Sequence, residues 1–513
     1  MMKRTNTNSK IKSLEELVSI LKDLRKKNKI IVLCHGVFDL LHPGHIKHFE
    51  AAKKEGDVLV VTLTKDEFVN KGPGRPIFNQ ILRAESIAAI GCVDFVAIND
   101  GPTAVETIKR LKPHLYAKGS DYVRRKADIT GMILEEEQAV KSVGGRIHFT
   151  DEVSFSSTAL INTHLTPYPP EAKDYFLKFR KRYVGSDLIE ALKGLKDISV
   201  LVIGDIIIDE YHYCFGMGKS QKDNILASKF LNEEIFAGGV LAASNHIAGF
   251  CKSVTLVSVL GRLNDYKDFI QAHLKPNVKT QLFERKDAPT VVKRRFVDPH
   301  FLTKLFEICY LPDGPSLPGD LEDKIVAYLE SNLKKFDMVL VADFGHGLVT
   351  PRIIQTLCQK ANFLAVNVQT NSANLGFNLI TKFNRADYIC IDEPEIRFAC
   401  HDRYAHLEKL VLKISKQLHC SKIIITRGHQ GALAYSRKGG FHKIPIFSKE
   451  IVDRIGAGDA YFSITSPCVF KNQPMEVVGF IGNAVGAMKV LIVGNRSAVE
   501  PVPLYKYIST LLK

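Results

Sequence analysis

Short apolar runs alternate with helical patterns along the first third of the chain. The runs are KIIVLC, VLVVTLT, VDFVAIN and HLYAKG, and segments such as HIKHFEAAKKEG and NQILRAESIAAIG between them have helical spacing. Strands that alternate with helices at this spacing indicate βαβ units and a parallel sheet. We therefore predict a doubly wound α/β domain, preceded by an amphipathic helix over SLEELVSILKDLRKKN.

The alternation breaks near Thr163, in the proline-rich segment THLTPYPPEAKD. A pair of helices is predicted next, and then a second α/β series from ISVLVIGDIIIDEY to VDRIGAGDAYFS. Its apolar runs end in Gly, Asp, Asn or Thr, where open α/β sheets bind ligands. We predict a first domain over residues 1–165, a proline-rich and helical linker over 166–197, and a second doubly wound domain over 198–513.

Composition excludes several classes of protein. The chain has 513 residues, of which 45% are hydrophobic and 24% charged, as in a globular protein of two or three domains. The most apolar long window, VVGFIGNAVGAMKVLIVG, contains Asn483 and Lys489 and predicts a packed helix and strand, so we expect no transmembrane segment. The N-terminal residues are basic and lack an apolar signal region, which predicts a cytoplasmic protein.

The net charge and the cysteine spacing limit which binding partners, disulfides and metal sites we expect. The net charge of +15 attracts polyanions, a class that includes nucleotides, sugar phosphates, nucleic acids and anionic lipids. The densest basic run, KFRKR at residues 178–182, is typical of a solvated helix face, so we expect no nucleic-acid partner and no membrane partner. The 10 cysteines are widely spaced without a C-x-x-C pair, which favours free thiols over a disulfide framework or a structural metal.

A histidine pair follows the first predicted strand, in GVFDLLHPGHIKHF at residues 36–49. The strand ends at Cys34 and a helix begins near His45, so the motif lies at a helix N-terminus, which favours a phosphate. Gly44 allows close approach of the backbone. The imidazoles of His42 and His45 can stabilise the charge that develops on an α-phosphate as pyrophosphate leaves.

This motif resembles the signature of the cytidylyltransferase-like nucleotidyltransferases, which transfer a nucleoside monophosphate to a phosphate ester. The likeness extends through NKGPGRP, QILRAESI, LYAKGSDY and FSSTALIN, and it implies a Rossmann-like domain. It also implies that His42 and His45 contact the triphosphate while Lys71 and Arg83 neutralise phosphate oxygens. The other residues that it implies at the nucleotide are Gly36, Phe38, Gly44, Ser156, Ser157 and Thr158.

Two further positions of this half bear on the comparison with the family, one as a match and one as a departure. Lys118, in AKGSDY, matches a family lysine for which we assign no role. Asn162 stands where the family's second nucleotide motif usually carries a basic residue, so we expect looser phosphate binding there.

A second candidate site lies in RIGAGDAYFS at residues 454–463. Gly456, Ala457 and Gly458 at a predicted helix start can form a nest of backbone N–H groups that holds an anion. Asp459 follows directly and is placed to accept a proton from an attacking hydroxyl. Phosphoryl transfer needs this combination of an anion site and a base.

The longer motif DRIGAGD, which begins at Asp453, resembles the signature of the ribokinase-type, or PfkB-type, sugar kinases. This resemblance runs from about Ile198 to the C-terminus and implies a ribokinase-like domain in which Asp459 is catalytic. It implies sugar binding by Asp205, Asp209, Gly238 and Gly239. It implies nucleotide binding by Thr426, Gly428, Gly431, Gly456, Ala457 and Gly458, and a metal-binding role for Glu395.

Three departures from the kinase pattern leave alternatives open. Ala242 replaces a frequent Asn, and the family's N-x-x-E motif reads Asp392 to Glu395. Related heptose kinases carry a D-P-K triplet where this chain has Asn367, Val368 and Gln369. One hypothesis is an active kinase for a sugar or sugar phosphate. The alternative is a non-catalytic kinase-like module for binding or dimerisation, fused to an active transferase.

Each half resembles one half of the bifunctional heptose 7-phosphate kinase/heptose 1-phosphate adenylyltransferases, which make ADP-heptose for bacterial surface glycans such as lipopolysaccharide. In that family the kinase comes first, whereas here the order is reversed. The resemblance implies a kinase that forms a sugar 1-phosphate and a transferase that converts it into a nucleotide sugar. It implies Mg²⁺ and ATP as cofactors, with CTP as the other candidate at the first site, nucleoside triphosphate and sugar phosphate as substrates, and a homodimer.

Overall fold

The computed structural model divides into two compact units. The first comprises Met1–Pro167 with Tyr505–Lys513, and the second comprises Tyr168–Leu504. The residues that the structure describes are 7–119, 132–150, 168–314 and 317–513. The sequence pattern predicts a second domain that extends to residue 513, whereas the contacts of Tyr505–Lys513 place these residues in the first unit.

The first unit alternates helices and strands. Its elements are α1 (Leu14–Lys26), β1 (Ile31–Gly36), α2 (Pro43–Lys54), β2 (Val58–Thr64), α3 (Gln80–Ala88), β3 (Phe95–Asn99), α4 (Val105–Leu111), β4 (Leu115–Gly119), α5 (Met132–Ser142) and β5 (Arg146–Thr150). The strands form one parallel sheet in the order β3-β2-β1-β4-β5. The order reverses between β1 and β4, which is where doubly wound sheets bind ligands.

Alternate residues of β1 face opposite layers of the core. Val32 and Cys34 belong to one buried apolar cluster, and Ile31 and Leu33 belong to another. This alternation follows from the two-residue period of a strand, and it requires apolar cover on both faces of the sheet. The prediction of a doubly wound α/β domain is therefore confirmed.

Helix α1 confirms the predicted amphipathic helix at the N-terminus. Ser13 forms a capping box with Glu16, in which each side chain accepts a hydrogen bond from the other residue's backbone N–H. Leu14, Leu17 and Leu21 are buried on one face, at helical spacing. The cap fixes where the helix begins, and the apolar stripe anchors it on the core.

The second unit is a larger α/β structure with an additional small sheet. Its elements are α6 (Pro170–Phe179), α7 (Gly185–Lys193), β6 (Ser199–Gly204), β7 (Ile206–Lys219), β8 (Leu226–Gly239), α8 (Val240–Ala248), β9 (Ser253–Gly261), α9 (Lys267–His273), β10 (Val278–Arg285), β11 (Val291–Asp298), β12 (Thr303–Tyr310), α10 (Gly319–Asn332), β13 (Met338–Asp343), α11 (Pro351–Lys360), β14 (Leu364–Val368), β15 (Tyr388–Asp392), α12 (Glu393–Cys400), α13 (Leu407–Gln417), β16 (Lys422–Thr426), β17 (Ala432–Ser436), β18 (Gly440–Ile444), α14 (Ala457–Phe470) and α15 (Met475–Lys489). The last helix, α16 (Pro501–Leu511), begins in this unit, and its residues from Tyr505 onward belong to the first unit.

The main sheet of this unit has the strand order β10-β9-β6-β13-β14-β15-β16-β17-β18. The strands from β10 to β16 in that order run parallel, and β17 and β18 are antiparallel. A separate sheet has the order β12-β11-β7-β8. The parallel strands place Asp205, Gln369 and Asp392 at carboxyl ends, on the edge where open α/β sheets bind ligands.

The predicted linker forms two helices that pack on the second unit. Phe176 and Phe179 of α6 contact Phe480, with ring centroids 6.1 and 4.4 Å away, and Phe176 also contacts Phe447 at 4.8 Å. Arg182 forms an ion pair with the buried carboxylate of Glu476. The helices were predicted, but their aromatic anchors make them part of the second unit.

The most apolar window forms helix α15 followed by turns, so the predicted strand after that helix is absent. Gly494 lies in the turn region with φ of +48°, a conformation that favours glycine. Among the described helices, none combines the length and the apolar character that a membrane crossing requires. All 10 cysteines are free thiols, as the sequence predicts.

Candidate active sites

The first candidate site lies in the loop between β1 and the N-terminus of α2. Phe38 adopts φ of +50° in this loop, and its ring lies 5.3 Å from His45 and 5.1 Å from Phe49, edge to face. A Cβ on Gly36 would approach the Phe38 Cζ to 2.9 Å. The glycine thus leaves room for the Phe38 ring, which supports His45 from the side of the core.

The two motif histidines lie together at the start of α2. His42 is the N-cap, and its Nδ1 accepts a hydrogen bond of 3.1 Å from the Gly44 N–H. The rings of His42 and His45 stack with centroids 3.9 Å apart. Burial lowers the pKa of His42, and burial, with contributions from His42 and Lys71, lowers the pKa of His45 to about 3. Both imidazoles are therefore neutral at physiological pH.

The loop that contains NKGPGRP brings cations to the same site. Burial lowers the pKa of Lys71 to about 8, and Lys71 in turn contributes to the lowered pKa of His45. Arg75 is completely buried and forms an ion pair with Asp39, which also accepts a 2.6 Å hydrogen bond from the Ile77 N–H. The Arg75 Nε and Nη2 are buried without a hydrogen-bond partner among the described residues.

Arg75 is a functional candidate that the sequence analysis missed. It lies in the same motif as Lys71, so the signal was present in NKGPGRP. Buried N–H groups without partners are costly, and a bound polyanion would satisfy them. The Nδ1 of His45 is likewise buried without a partner in the part of the chain that the structure describes. Unpaired nitrogen groups on two elements therefore favour an anionic ligand.

Arg83 and Lys118 have structural partners. Arg83 is buried and donates hydrogen bonds to the carbonyls of Val37, Phe78 and Thr64 and to the carboxylate of Asp66. Arg83 thus connects separate loops, and the phosphate contact that the resemblance implies stays a prediction. Lys118 forms a buried 2.8 Å ion pair with Glu136. Ser156, Ser157, Thr158 and Asn162 lie outside the described residues.

The second candidate site centres on Asp459 in the first turn of α14. The N-cap Gly456 has φ of +75°, and this left-handed residue turns the chain into the helix. Gln369, at the end of β14, donates a 2.6 Å hydrogen bond from Nε2 to Oδ1 of Asp459. Burial raises the pKa of Asp459 to about 6, and the Gln369 bond opposes that rise. A carboxylate with such a pKa is suited to act as a general base.

Asp209 and the glycine pair lie beside this base. The Asp209 carboxylate is buried, forms an ion pair with Arg295 and accepts a 3.3 Å hydrogen bond from Nδ2 of Asn495. A Cβ on Gly238 would approach Asp209 Oδ2 to 2.1 Å, so only glycine fits there. The charge of Asp209 also contributes to the raised pKa of Asp459. The structure therefore brings Asp209, Gly238 and Asp459 together.

Asn495 is a second residue that the sequence analysis missed. Its Oδ1 lies 2.4 Å from the position that a Cβ on Gly456 would occupy, and that oxygen is buried without a partner among the described residues. Asn495 thus links the glycine nest to Asp209. Asn495 belongs to neither family signature and directly follows the apolar window near the C-terminus.

Asp453 and Lys489 hold the loop that precedes the nest. The Asp453 carboxylate accepts hydrogen bonds from Lys304 Nζ at 2.6 Å, Tyr211 Oη at 2.7 Å and the Gly494 N–H at 2.8 Å. Lys489 donates to the carbonyls of Ile455 and Gly494, at 2.8 and 2.6 Å. Burial lowers the pKa of Lys489 to about 8. Both ends of the loop are therefore fixed by buried polar contacts.

Asp205 and Gly239 stabilise the local backbone conformation. The Asp205 carboxylate accepts hydrogen bonds from the N–H groups of Phe344, His346 and Leu348, at 3.1, 3.2 and 3.3 Å. Gly239 has φ of +53°, and a Cβ there would lie 2.6 Å from the Asp205 carbonyl oxygen. Asp205 thus fixes the loop after β13, and the sugar contact that the resemblance implies stays a prediction. Ala242, in place of the frequent Asn, is buried in α8.

Glu395 and Asp392 form a reciprocal cap at the start of α12. The Asp392 N–H donates to Glu395 Oε2 at 2.7 Å, and the Glu395 N–H donates to Asp392 Oδ1 at 2.9 Å. Glu395 also accepts from the Thr370 N–H at 3.0 Å. Burial and the nearby Asp392 charge raise the pKa of Glu395 to about 8. The buried Glu395 carboxylate and the half-buried Asp392 carboxylate form no ion pair with another described residue. They fit a divalent metal, although the described residues contain no group of three metal-ligating side chains.

The remaining predicted nucleotide residues lie around β16 and β17. Thr426 is the last residue of β16, and Gly428 follows with φ of +54°. Gly431 has φ of +83°, and a Cβ there would lie 2.0 Å from the Ile444 carbonyl oxygen. Gly431 therefore allows β17 to begin beside β18. Among the described residues, no hydrogen bond or ion pair joins Thr426, Gly428 or Gly431 to Asp459.

Two family models match the chain. A cytidylyltransferase-like model matches residues 33–163, and a pfkB family carbohydrate kinase model matches residues 197–501. The chain therefore combines a nucleotidyltransferase-like domain with a carbohydrate kinase domain, and it is a transferase enzyme. Both families generally use ATP and Mg²⁺.

The matched relatives resemble the first half of the chain. The chain is 47% identical over 121 residues to the bifunctional protein HldE of Campylobacter jejuni subsp. doylei, which covers 23% of this chain and 26% of that protein. It is 42% identical over 146 residues to the bifunctional protein HldE of Aliarcobacter butzleri, with 28% and 30% covered. The matches thus span under a third of the length of these relatives.

Solved sugar kinases overlap with the second half. Escherichia coli phosphofructokinase-2 in complex with substrates and products matches with 14% identity and a TM-score of 0.49, over 61% of this chain and 99% of that chain. Thermotoga maritima ribokinase matches with 16% identity and a TM-score of 0.48, over the same shares of the two chains. Because the pfkB model matches more than half of the residues, the chain belongs to the pfkB family of carbohydrate kinases.

Proposed function

We propose that this protein is a bifunctional sugar-activating enzyme. The second unit phosphorylates heptose 7-phosphate at C1 with ATP, and the first unit transfers a nucleotidyl group to the resulting sugar 1-phosphate. The observation that carries the proposal is that one chain contains two such sites. One has a buried base, Asp459, beside a glycine nest. The other has a histidine pair at a helix N-terminus, near Arg75 nitrogens that are buried without a partner among the described residues.

In the kinase reaction, Asp459 accepts the proton of the attacking sugar hydroxyl. The sugar oxygen then forms a bond to the γ-phosphorus while the bond from that phosphorus to the bridging oxygen breaks, and ADP leaves. Gln369 holds the Asp459 carboxylate ionised and oriented through its 2.6 Å hydrogen bond. The backbone N–H groups at Gly456–Gly458 lie at the helix start, where negative charge is stabilised.

In the transferase reaction, an oxygen of the sugar 1-phosphate attacks the α-phosphorus, and the bond to the β-phosphate oxygen breaks as pyrophosphate leaves. His42 and His45 are neutral and donate hydrogen bonds to phosphate oxygens from N–H groups. Lys71 and Arg75 supply positive charge beside them. Because the charge on these oxygens grows in the transition state, fixed donors lower the barrier.

Mg²⁺ fits the paired carboxylates of Asp392 and Glu395 in the kinase unit, and it would neutralise charge on the transferring phosphates. Asp392 in place of the family's Asn gives this pair one more negative charge. We also expect Mg²⁺ to accompany the triphosphate at the first site.

The proposed sugar and nucleotide come from the motif resemblance. Heptose 7-phosphate and ADP-heptose fit a family in which both activities occur in one chain, and CTP is the competing nucleotide at the first site. The order of the two domains is reversed here, which does not alter the chemistry: the kinase makes the phosphate ester that the transferase consumes. Ten free cysteines are typical of a reducing compartment, so we expect a cytoplasmic enzyme, and we expect it to form a homodimer.

Mass spectrometry of the reaction products tests this proposal. The purified protein is incubated with heptose 7-phosphate, ATP, CTP, Mg²⁺ and inorganic pyrophosphatase. A mass matching ADP-heptose establishes both activities and the substrate, and CDP-heptose changes only the nucleotide. Heptose bisphosphate alone shows a working kinase beside a transferase that rejects the product or the nucleotides. The absence of any new product rules out heptose 7-phosphate as the substrate.

The alternative is a transferase fused to a non-catalytic kinase-like module. Ala242 supports it, because a buried methyl group offers no hydrogen bond to a sugar. Sugar-dependent release of ADP by the full chain, lost in Asp459→Asn, excludes this alternative. Nucleotide transfer to an added sugar 1-phosphate without any sugar-dependent ADP release supports it.

A further inference from the structure

Tyr507, in α16, lies against the loop that carries Lys71. Its side chain is fully buried. A Cβ on Gly72 would lie 2.0 Å from Cδ2 and 2.2 Å from Cε2 of the Tyr507 ring, so the ring packs directly against the glycine backbone. Gly72 has φ of +90°, a conformation that other residues rarely adopt. This contact lies within the first unit, to which Tyr505–Lys513 belong.

The position of Lys71 depends on this backbone. The structure records no ion pair for the Lys71 ammonium among the residues that it describes, so no charged partner fixes the side chain. The charged and titratable groups that face it are Asp39, Arg75, Arg83, His45 and Lys513. Asp39 is already paired with Arg75. A lysine without a partner of its own is oriented by the chain to which it is attached, here the residue next to Gly72.

We infer that Tyr507 is a positioning residue for nucleotidyl transfer: its ring holds the backbone at Gly72 so that Lys71 points at the bound triphosphate. This inference rests on the proposed transferase function of the first unit. Tyr507 acts through Lys71 and does not itself contact the substrate. The C-terminal end of the chain therefore contributes to a site whose motifs all lie in the first 165 residues.

Two substitutions in the full chain test the role of the ring. Tyr507→Ala removes it, and we expect kcat for nucleotidyl transfer to fall about ten- to a hundredfold, because a small misplacement of a catalytic group costs that much. The KM for the nucleotide changes less, since the histidines still bind the phosphates. Tyr507→Phe keeps the ring and keeps kcat close to wild type. Equal kcat for Tyr507→Ala and wild type overturns the inference, and so does an equal loss in both variants.

Retention of sugar-dependent ADP release by Tyr507→Ala shows that the second unit of that variant is folded.

A second measurement needs no turnover: Lys71 is acetylated with acetic anhydride at a series of pH values, and its peptide is quantified by mass spectrometry. In wild type we expect half-maximal labelling near the lowered pKa of about 8. Burial disfavours the ammonium, so water entry in Tyr507→Ala raises this pKa towards about 10.4, the usual value for lysine.

The labelling experiment separates the inference from the proposed function. If wild type transfers no nucleotide to any sugar 1-phosphate, the transferase proposal fails, while the labelling still reports whether Tyr507 controls the environment of Lys71. We expect Tyr507→Phe to keep the wild-type labelling midpoint. An unchanged midpoint in Tyr507→Ala overturns the inference even if transfer is observed.

Discussion

The two candidate sites differ in their buried charged groups. In the first unit, Arg75 pairs with the buried Asp39, and further nitrogens of Arg75 and His45 have no partner among the described residues. In the second unit, the buried carboxylates of Asp453 and Asp459 accept hydrogen bonds from side chains around them. The first site thus offers nitrogen groups to an anion, and the second offers carboxylates.

This difference separates two ways of handling phosphate. Burial shifts every group towards its neutral form, so the pKa of His45 falls to about 3 and that of Asp459 rises to about 6. Neutral imidazoles can donate hydrogen bonds to a leaving pyrophosphate without transferring a proton to it. A carboxylate that titrates near neutral pH can take a proton from a hydroxyl. The first site stabilises charge, and the second moves a proton.

The substitution with the largest expected effect should abolish the kinase activity and leave the transferase activity unchanged. Asp459→Asn keeps the shape and the contact with Gln369 but removes the base, so we expect sugar-dependent ADP release to fall by about 10³-fold or more. Transfer to an added sugar 1-phosphate should be unchanged. ADP release and pyrophosphate release, assayed separately on the same protein, provide the measurement. Loss of both activities in a folded variant contradicts the model of two independent sites.

The reciprocal change is His45→Ala in the first unit. It removes a donor that stabilises the transition state, and we expect pyrophosphate release to fall about 10²- to 10³-fold, with ADP release unchanged. His48→Ala is the matched control, because His48 lies on the same helix but bonds to Thr150 Oγ1 at 2.8 Å. An equal loss of transfer in the control would assign the effect to packing of α2.

A smaller effect should appear in the pH profile of the kinase. The Gln369 N–H bond stabilises the ionised form of Asp459, so Gln369→Ala raises the pKa of this base above its present value of about 6. The acidic limb of kcat/KM for ADP release therefore moves to higher pH, and activity at pH 6 falls more than activity at pH 8. A profile that keeps its shape while falling uniformly would show that Gln369 orients the substrate instead.

Much of the fold could be predicted because its signals are local. The apolar runs predicted parallel strands of the two larger sheets but did not indicate the separate four-stranded sheet. The motif histidines were placed correctly at the start of α2, since a strand, a glycine turn and a helix follow each other within a few residues. The same holds for Asp459 beside its glycine nest. These residues need only their immediate neighbours to define where they lie.

The remaining residues depend on contacts that are distant in sequence. Arg83 and Asp205 have the charge expected of ligand-binding residues, yet their hydrogen bonds reach backbone groups of separate loops. Spacing does not show which way such side chains turn. Asn495 and Tyr507 were missed for the same reason, since each contacts a glycine far along the chain. Residue type identifies candidates, and long-range packing decides among them.

The smallest expected effect concerns Asp392, the departure from the kinase pattern nearest the proposed metal. Asn is as good an N-cap as Asp, so Asp392→Asn keeps the bond to the Glu395 N–H and should change the free energy of unfolding by less than about 1 kcal/mol. Removing one of these two paired carboxylates weakens the attraction for a cation. We therefore expect ADP release to need a several-fold higher Mg²⁺ concentration and to reach the same maximum. An unaltered Mg²⁺ titration would place the metal away from this pair and leave Asp392 as a helix cap.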